Sequence, residues 1–256
     1  MRLLSENPAK RRVETIVLAW SPIWIVIIGA LMGTRRFARW DDGEHLALGL
    51  ALALPLWLAP FAWPAPDEKL VPLAHRHAAR FTLFVALMTF VQTWFGTRFF
   101  FDHLGMEYHF RVTWILRGTP LFLYFVTIAY FSTYYVVMQV ALRALRSLWP
   151  GAPWPVAVGA RAIVSYLVAF AETAGMASPL IREFFLYRDK AFAMWWGSLC
   201  YGTVFFVSLP ILERLDERPG DAPPSLRTLA RDVLAANLLA LFLYDLYAAI
   251  MAARGA

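Results

Sequence analysis

Residues 13–33 read VETIVLAWSPIWIVIIGALMG, and no charged residue follows Glu14 for the next 19 positions. A helix rises 1.5 Å per residue, so about 20 such residues cross the ~30 Å hydrocarbon core of a bilayer. In lipid a lone segment can satisfy its backbone N–H and C=O groups only as a helix. The run is too long for the apolar region of a cleaved signal peptide and lacks a small-residue cleavage site, so it is expected to stay as a first span. Before it the chain is polar, with Arg2, Lys10, Arg11 and Arg12.

Working outward, six further apolar runs follow at about 46–63, 80–96, 119–141, 158–176, 191–212 and 228–250. The chain of 256 residues is 60% apolar and 16% aromatic, with a mean hydropathy of +0.53. Soluble domains are nearer 45–50% apolar. A soluble fold could not hide seven separate runs of this length. The expectation is an all-α, polytopic transmembrane helical bundle of about seven spans, with residues 1–256 forming a single membrane domain. The alternation of a transmembrane barrel is absent.

The breaks between runs support this division. The second loop carries Pro64, Pro66, Asp67, Glu68, Lys69 and Pro72; the fourth reads Trp149-Pro150-Gly151-Ala152-Pro153-Trp154-Pro155; the sixth holds Pro219-Gly220-Asp221-Ala222-Pro223-Pro224. Proline and glycine clusters punctuate helices. Trp20, Trp24, Trp40, Trp57, Trp63, Trp149 and Trp154 fall mostly near run ends, as in an interfacial belt.

The formal charge is +6, from 24 Lys and Arg against 18 Asp and Glu. The basic residues are spread between spans, which fits cytoplasmic loops and anionic headgroups rather than nucleic-acid binding. With seven spans, the N-terminus and even-numbered loops hold 14 of them and the other side 10, favouring a cytoplasmic N-terminus. The Arg- and Ala-rich composition points to a bacterial chain, and so to a multi-pass protein of the bacterial cytoplasmic membrane. The single cysteine, Cys200, excludes an internal disulfide and any cysteine metal cluster.

Ionisable side chains inside apolar runs are expensive and therefore rank first as functional candidates. Glu172 lies near the end of the fifth run, in Ser165-Tyr166-Leu167-Val168-Ala169-Phe170-Ala171-Glu172-Thr173. Positions 165, 169, 172 and 176 share a helix face of Ser, Ala, Glu and Met, so small groups flank the carboxyl. A carboxyl in an apolar cavity keeps its proton and can donate it. The bland alternative is a buried acid that only bonds neighbouring helices. Asp245 sits in the last run, with Asn237, Leu241 and Tyr244 expected on a common side. Asp232, beside Arg231, is nearer the start of that helix and could equally be interfacial.

The third loop mixes His103, Glu107 and His109 with aromatics. Their spacing matches no metal signature, and interfacial anchoring is the simpler reading; no metal is expected. Five histidines are too few for the histidine boxes of membrane di-iron oxygenases. Asp41-Asp42 is a lone acidic pair. No GxGxxG after a strand, Walker A, HExxH or GxSxG occurs. What is left is a site without a cofactor: one or two carboxyls, tyrosine hydroxyls and many aromatic rings within the bilayer. Such a site suits proton transfer to a lipid-soluble hydrocarbon, with ring faces stabilising a carbocation and water excluded from it.

Several segments, in order along nearly the whole chain, resemble the cycloeucalenol cycloisomerase family of sterol biosynthesis. They are Glu6-Asn7-Pro8-Ala9-Lys10-Arg11; Thr97-Arg98-Phe99-Phe100-Phe101 with Leu104-Gly105 and Tyr108-His109-Phe110; Tyr166-Leu167-Val168-Ala169-Phe170-Ala171-Glu172-Thr173; Ser208-Leu209-Pro210 through Arg214-Leu215-Asp216-Glu217; and Asp232 with Asp245. The resemblance implies an intramolecular isomerase without cofactors that opens the 9β,19-cyclopropane ring of a sterol to a Δ8 alkene. Its partners would be a sterol or triterpenoid substrate and membrane lipids. On this reading Glu172 is the acid and Asp245 the base or second carboxyl. Tyr108, Tyr134 and Trp195 would orient substrate and stabilise the cation, with Asn237 and Asp232 as further substrate contacts. Another sterol double-bond isomerase, a non-catalytic lipid-binding protein and a proton-coupled transporter stay open as alternatives.

Overall fold

A computed structural model describes residues 3–218 and 222–253, so Arg2 and the Pro219-Gly220-Asp221 part of the sixth loop lie outside the described residues. Among the described residues, seven helices are long and apolar enough to cross a membrane: α1 (Pro8–Gly33), α2 (Asp42–Ala62), α3 (His77–Leu104), α4 (Leu121–Leu148), α5 (Trp154–Met176), α6 (Lys190–Arg214) and α7 (Leu226–Ala253). Each apolar run seen in the sequence lies largely within one of them, and capping explains where two begin. Asn7 accepts from the backbone N–H groups of Ala9 and Lys10, with Pro8 in the first turn of α1. Asp41 and Glu44 bond each other's backbone N–H to start α2. The Asp41-Asp42 pair is therefore structural. Asp42 also accepts from the Thr113 and Trp114 backbone, which anchors the loop before α4.

Helix α4 is the centre of the bundle, packed by α1, α2, α3, α5 and α6, while α7 closes against α3 and α6. Close approach of α2 to α4 depends on Gly49, where a Cβ would fall 2.8 Å from the Phe122 carbonyl oxygen. Several polar contacts between helices are short. Tyr135 bonds Ser208 at 2.7 Å, and Ser21 and the Trp24 indole both meet the Thr133 hydroxyl. In a membrane such contacts add to the packing that drives helix association.

Four small strands lie between spans. β2 (Ile115–Leu116) and β3 (Thr119–Pro120) form a turn before α4. β1 (Met106–Tyr108), after α3, pairs antiparallel with β4 (Phe185–Tyr187), before α6. The chain leaves α3 through Gly105, whose φ of +60° suits glycine and whose bare Cα lies against Arg188.

At the end of the bundle that holds the chain's N-terminus, a charged cluster ties α1, α3, α4 and the segment after α6 together. Lys10 is only 1% exposed, and its ammonium donates to the Leu212 and Leu215 carbonyls at 2.8 and 2.9 Å and pairs with Glu217. It thus satisfies carbonyls that the end of α6 leaves free. Arg143 bridges Glu14 and Glu217, while Asp216 is held by His77 and Arg80. Burial pushes the Asp216 and Glu217 carboxyls up, but these cationic and hydrogen-bonding partners outweigh it and hold both below their ordinary range.

Candidate functional site

At the opposite end of the bundle, α3, α5 and α7 finish while α4 and α6 begin, and their ends surround a cleft that is partly open to the outside. The β1–β4 pair roofs it. Side chains two residues apart on a strand share a face, and Met106 faces Tyr187 while Tyr108 faces Phe185. All four therefore point down into the cleft, and all four line it. Glu107 points the other way and is taken by Arg188 at 2.8 Å and His109 at 3.3 Å. No group of three metal-ligating side chains occurs among the described residues.

Glu172 projects into this cleft from the last turns of α5, with Thr173 and Met176 of the same helix beside it. Tyr201 of α6 faces the carboxyl. Oε2 of Glu172 is shielded and has no hydrogen-bond partner among the described residues. Around it stand the phenols of Tyr108, Tyr130, Tyr187, Tyr201 and Tyr244 and the rings of Phe100, Phe131 and Phe185. Several of these pack edge to face, Phe100 on Tyr201 at 5.3 Å and Tyr108 on Phe185 at 5.1 Å. Among the described residues, no Lys, Arg or His lines the cleft. Burial pushes the phenols of Tyr108 and Tyr187, which stand in the roof, above their ordinary range, so both remain hydroxyl donors.

The sequence-predicted residues divide. Glu172 and Tyr108 meet in the cleft. Tyr134 stands one layer behind, stacked on the lining residue Tyr130 at 6.1 Å. Asn237 is buried and reaches the cleft only through Gln92, which donates to its side-chain oxygen at 2.8 Å. Trp195 is 64% exposed, lies against Phe170 on the outer surface and does not line the cleft. Asp232 pairs with neighbouring Arg231. Asp245 is exposed on the outer side of α7. The expected common side holds for Asn237 and Tyr244, seven residues apart and both buried, but a step of one residue turns a helix by about 100°. Tyr244 takes the inward direction and Asp245 is turned out.

Sequence reasoning missed Gln92, Tyr130, Tyr187 and Tyr201, and placed Tyr244 only on the common side with Asn237 and Asp245. One signal was present for α3 and α6, where Thr93-Trp94-Phe95-Gly96-Thr97 and Met194-Trp195-Trp196-Gly197-Ser198 echo each other. Each contains a single π-helical turn, Gln92–Gly96 and Ala193–Gly197. Such turns are uncommon and gather at functional sites.

No known protein-family profile matches the chain, and no solved structure does. A curated relative does. The chain is 28% identical over 249 residues to cycloeucalenol cycloisomerase of Arabidopsis thaliana, covering 95% of this chain and 87% of that protein. By sequence the chain is thus a distant relative of that cycloeucalenol cycloisomerase, similar to it along nearly its whole length.

Proposed function

We propose that the chain is a membrane sterol isomerase that opens the 9β,19-cyclopropane ring of a cycloeucalenol- or cycloartenol-type sterol to a Δ8 sterol. The observation that carries this reading is one carboxyl, Glu172, alone among phenols and phenyl rings in a cleft that no cation lines. An unpaired charge is costly away from water, so Glu172 is carried as the neutral acid with a proton to give. It passes that proton to the cyclopropane methylene. The C9–C19 bonding pair becomes the new C–H bond and leaves the cation at C9, where the surrounding ring faces stabilise it. Loss of the C8 proton turns the C8–H pair into the double bond. The Glu172 carboxylate formed in the first step is the anion left in the cleft, so one group serves both transfers. The net change is an isomerisation, with nothing oxidised or reduced. The roof formed by β1 and β4 limits the water that would capture the cation.

Because Asp245 lies outside the cleft, Asp245→Asn is expected to keep turnover within about twofold of wild type, the range of ordinary surface substitutions. A large loss would return the base role to that residue. For the reaction itself, protein equilibrated in heavy water is given one turnover of a cyclopropyl sterol. A ring-opened product carrying one deuterium in the new methyl group, seen by mass spectrometry, is the expected result. Recovery of the intact, unlabelled cyclopropyl sterol overturns the reading.

A further inference from the structure

Two more polar atoms in the cleft are buried and lack hydrogen-bond partners among the described residues: Oε1 of Gln92 and the hydroxyl of Tyr244. The two residues are 6% and 3% exposed, and both line the cleft with Glu172. Buried polar atoms are nearly always paired, so each such orphan asks for an explanation.

The orientation of the Gln92 amide is set by its neighbours. A backbone carbonyl can only accept, so the contact of Asn237 with the Val233 carbonyl at 3.0 Å must be made by the asparagine NH₂. The asparagine oxygen then accepts from the Gln92 NH₂ at 2.8 Å. This leaves Gln92 Oε1 as a pure acceptor. It sits over Gly96, where an added Cβ would fall 2.5 Å from Oε1 and 3.4 Å from the Tyr244 ring carbon next to the hydroxyl-bearing one. The bare glycine thus brings a fixed acceptor and a phenolic donor side by side at the π turn of α3. Neither bonds the other.

From this pair we infer that Gln92 and Tyr244 form a hydroxyl-recognition subsite, which holds the 3-hydroxyl of the sterol. This inference rests on the proposed function for the identity of the ligand. An alcohol answers both orphans at once, donating to Gln92 Oε1 and accepting from the Tyr244 hydroxyl. The geometry of a sterol agrees. Its 3-hydroxyl and its 9,19-cyclopropane belong to the same end of the ring system, so the hydroxyl clamp has to share a cleft with the acid. Helices α3 and α7 supply the clamp, and α5 supplies the acid. Gln92 and Tyr244 then position the substrate by its one polar group, so that the cyclopropane meets Glu172.

The test uses binding of saturated sterols that have no cyclopropane and cannot react: 5α-cholestan-3β-ol, 5α-cholestan-3-one and 5α-cholestane. Affinity for purified full-length protein in detergent is read from quenching of intrinsic fluorescence. The ketone accepts but cannot donate, so wild type is expected to bind the alcohol about tenfold more tightly than the ketone, the worth of one well-made hydrogen bond. Gln92→Leu should erase that preference. Tyr244→Phe, which removes a hydroxyl that bonds nothing in the free protein and so leaves the fold intact, should weaken alcohol and ketone alike about tenfold and leave the hydrocarbon unchanged. An undiminished alcohol preference in Gln92→Leu, or wild-type alcohol affinity in Tyr244→Phe, overturns the subsite. Should Gln92→Leu fail to fold, the Tyr244→Phe arm decides alone. Ring opening without any alcohol preference sinks this inference and spares the proposed reaction. Alcohol-selective binding without ring opening does the reverse.

Discussion

Glu172→Gln is expected to lower turnover of a cyclopropyl sterol by at least about a hundredfold, the lower end of what a positioned general acid contributes, while the protein inserts and melts like wild type. The amide keeps the size and planarity of the carboxyl but has no acidic proton to hand to a hydrocarbon. Structural cost should be small because no ion pair is lost. The cleft contains no cation, and the shielded carboxyl oxygen has no partner to lose. Separation of the two readouts matters: an intact fold with lost turnover assigns Glu172 to chemistry, whereas parallel loss of both would make it a packing residue. A wild-type rate in the variant removes Glu172 from the acid role. The measurement is product formation by mass spectrometry beside a melting curve in the same detergent.

Arg143→Met is expected to produce the largest loss of stability, about 3 kcal/mol, and little change at the cleft. Breaking one side of a buried ion pair leaves a charge without its partner, which costs about 3–5 kcal/mol. Arg143 is 10% exposed and joins Glu14, itself 2% exposed, to Glu217. Methionine fills the volume of the removed stem but leaves two carboxylates short of a cation. The pH dependence has a definite sign. Asp216 and Glu217 are held below their ordinary values of 3.8 and 4.5 in the folded chain. Their contribution is therefore complete above those values and is lost as pH falls through the depressed ones, because the unfolded chain binds protons first. These two carboxylates should therefore cost the wild type melting temperature as pH falls below their ordinary values. With Arg143 gone, Glu217 loses a partner that holds it down, so the variant starts from a lower melting temperature and the part lost through Glu217 on acidification should be smaller than in wild type. An unchanged melting temperature and acid midpoint in Arg143→Met would show that the cluster carries no stability.

Together the two variants test a division of labour along the bundle axis. The end holding the N-terminus is fastened by charges, because interfacial water and headgroups make paired ions tolerable there. At the other end, helix termini splay around a cleft lined by rings, hydroxyls and a single acid. The β1–β4 pair lets two connections between spans serve as a roof, with their alternate residues pointing inward.

The membrane class and the seven helices were legible directly from runs such as residues 13–33, because span length is dictated by bilayer thickness and needs no knowledge of what each helix touches. Glu172 was legible for a related reason: a carboxyl in an apolar run is costly wherever it points, so its presence alone marks it. Asp245 carried the same mark in the sequence, yet it stands on the outer side of α7. Which side of a helix faces the bundle depends on its neighbours, and in lipid both faces are apolar, so hydrophobic periodicity no longer separates inside from outside. Tyr201 gave no signal of its own, since tyrosine is as much at home in an interfacial belt as in a cleft. Gln92 could be found only once Asn237, Val233 and Gly96 had been brought together from two distant helices. The residue types and the length of each span are local properties, and the sequence determines them alone. The meeting of Gln92, Tyr244 and Glu172 in one cleft is a property of how α3, α5 and α7 pack, and only the tertiary structure decides it.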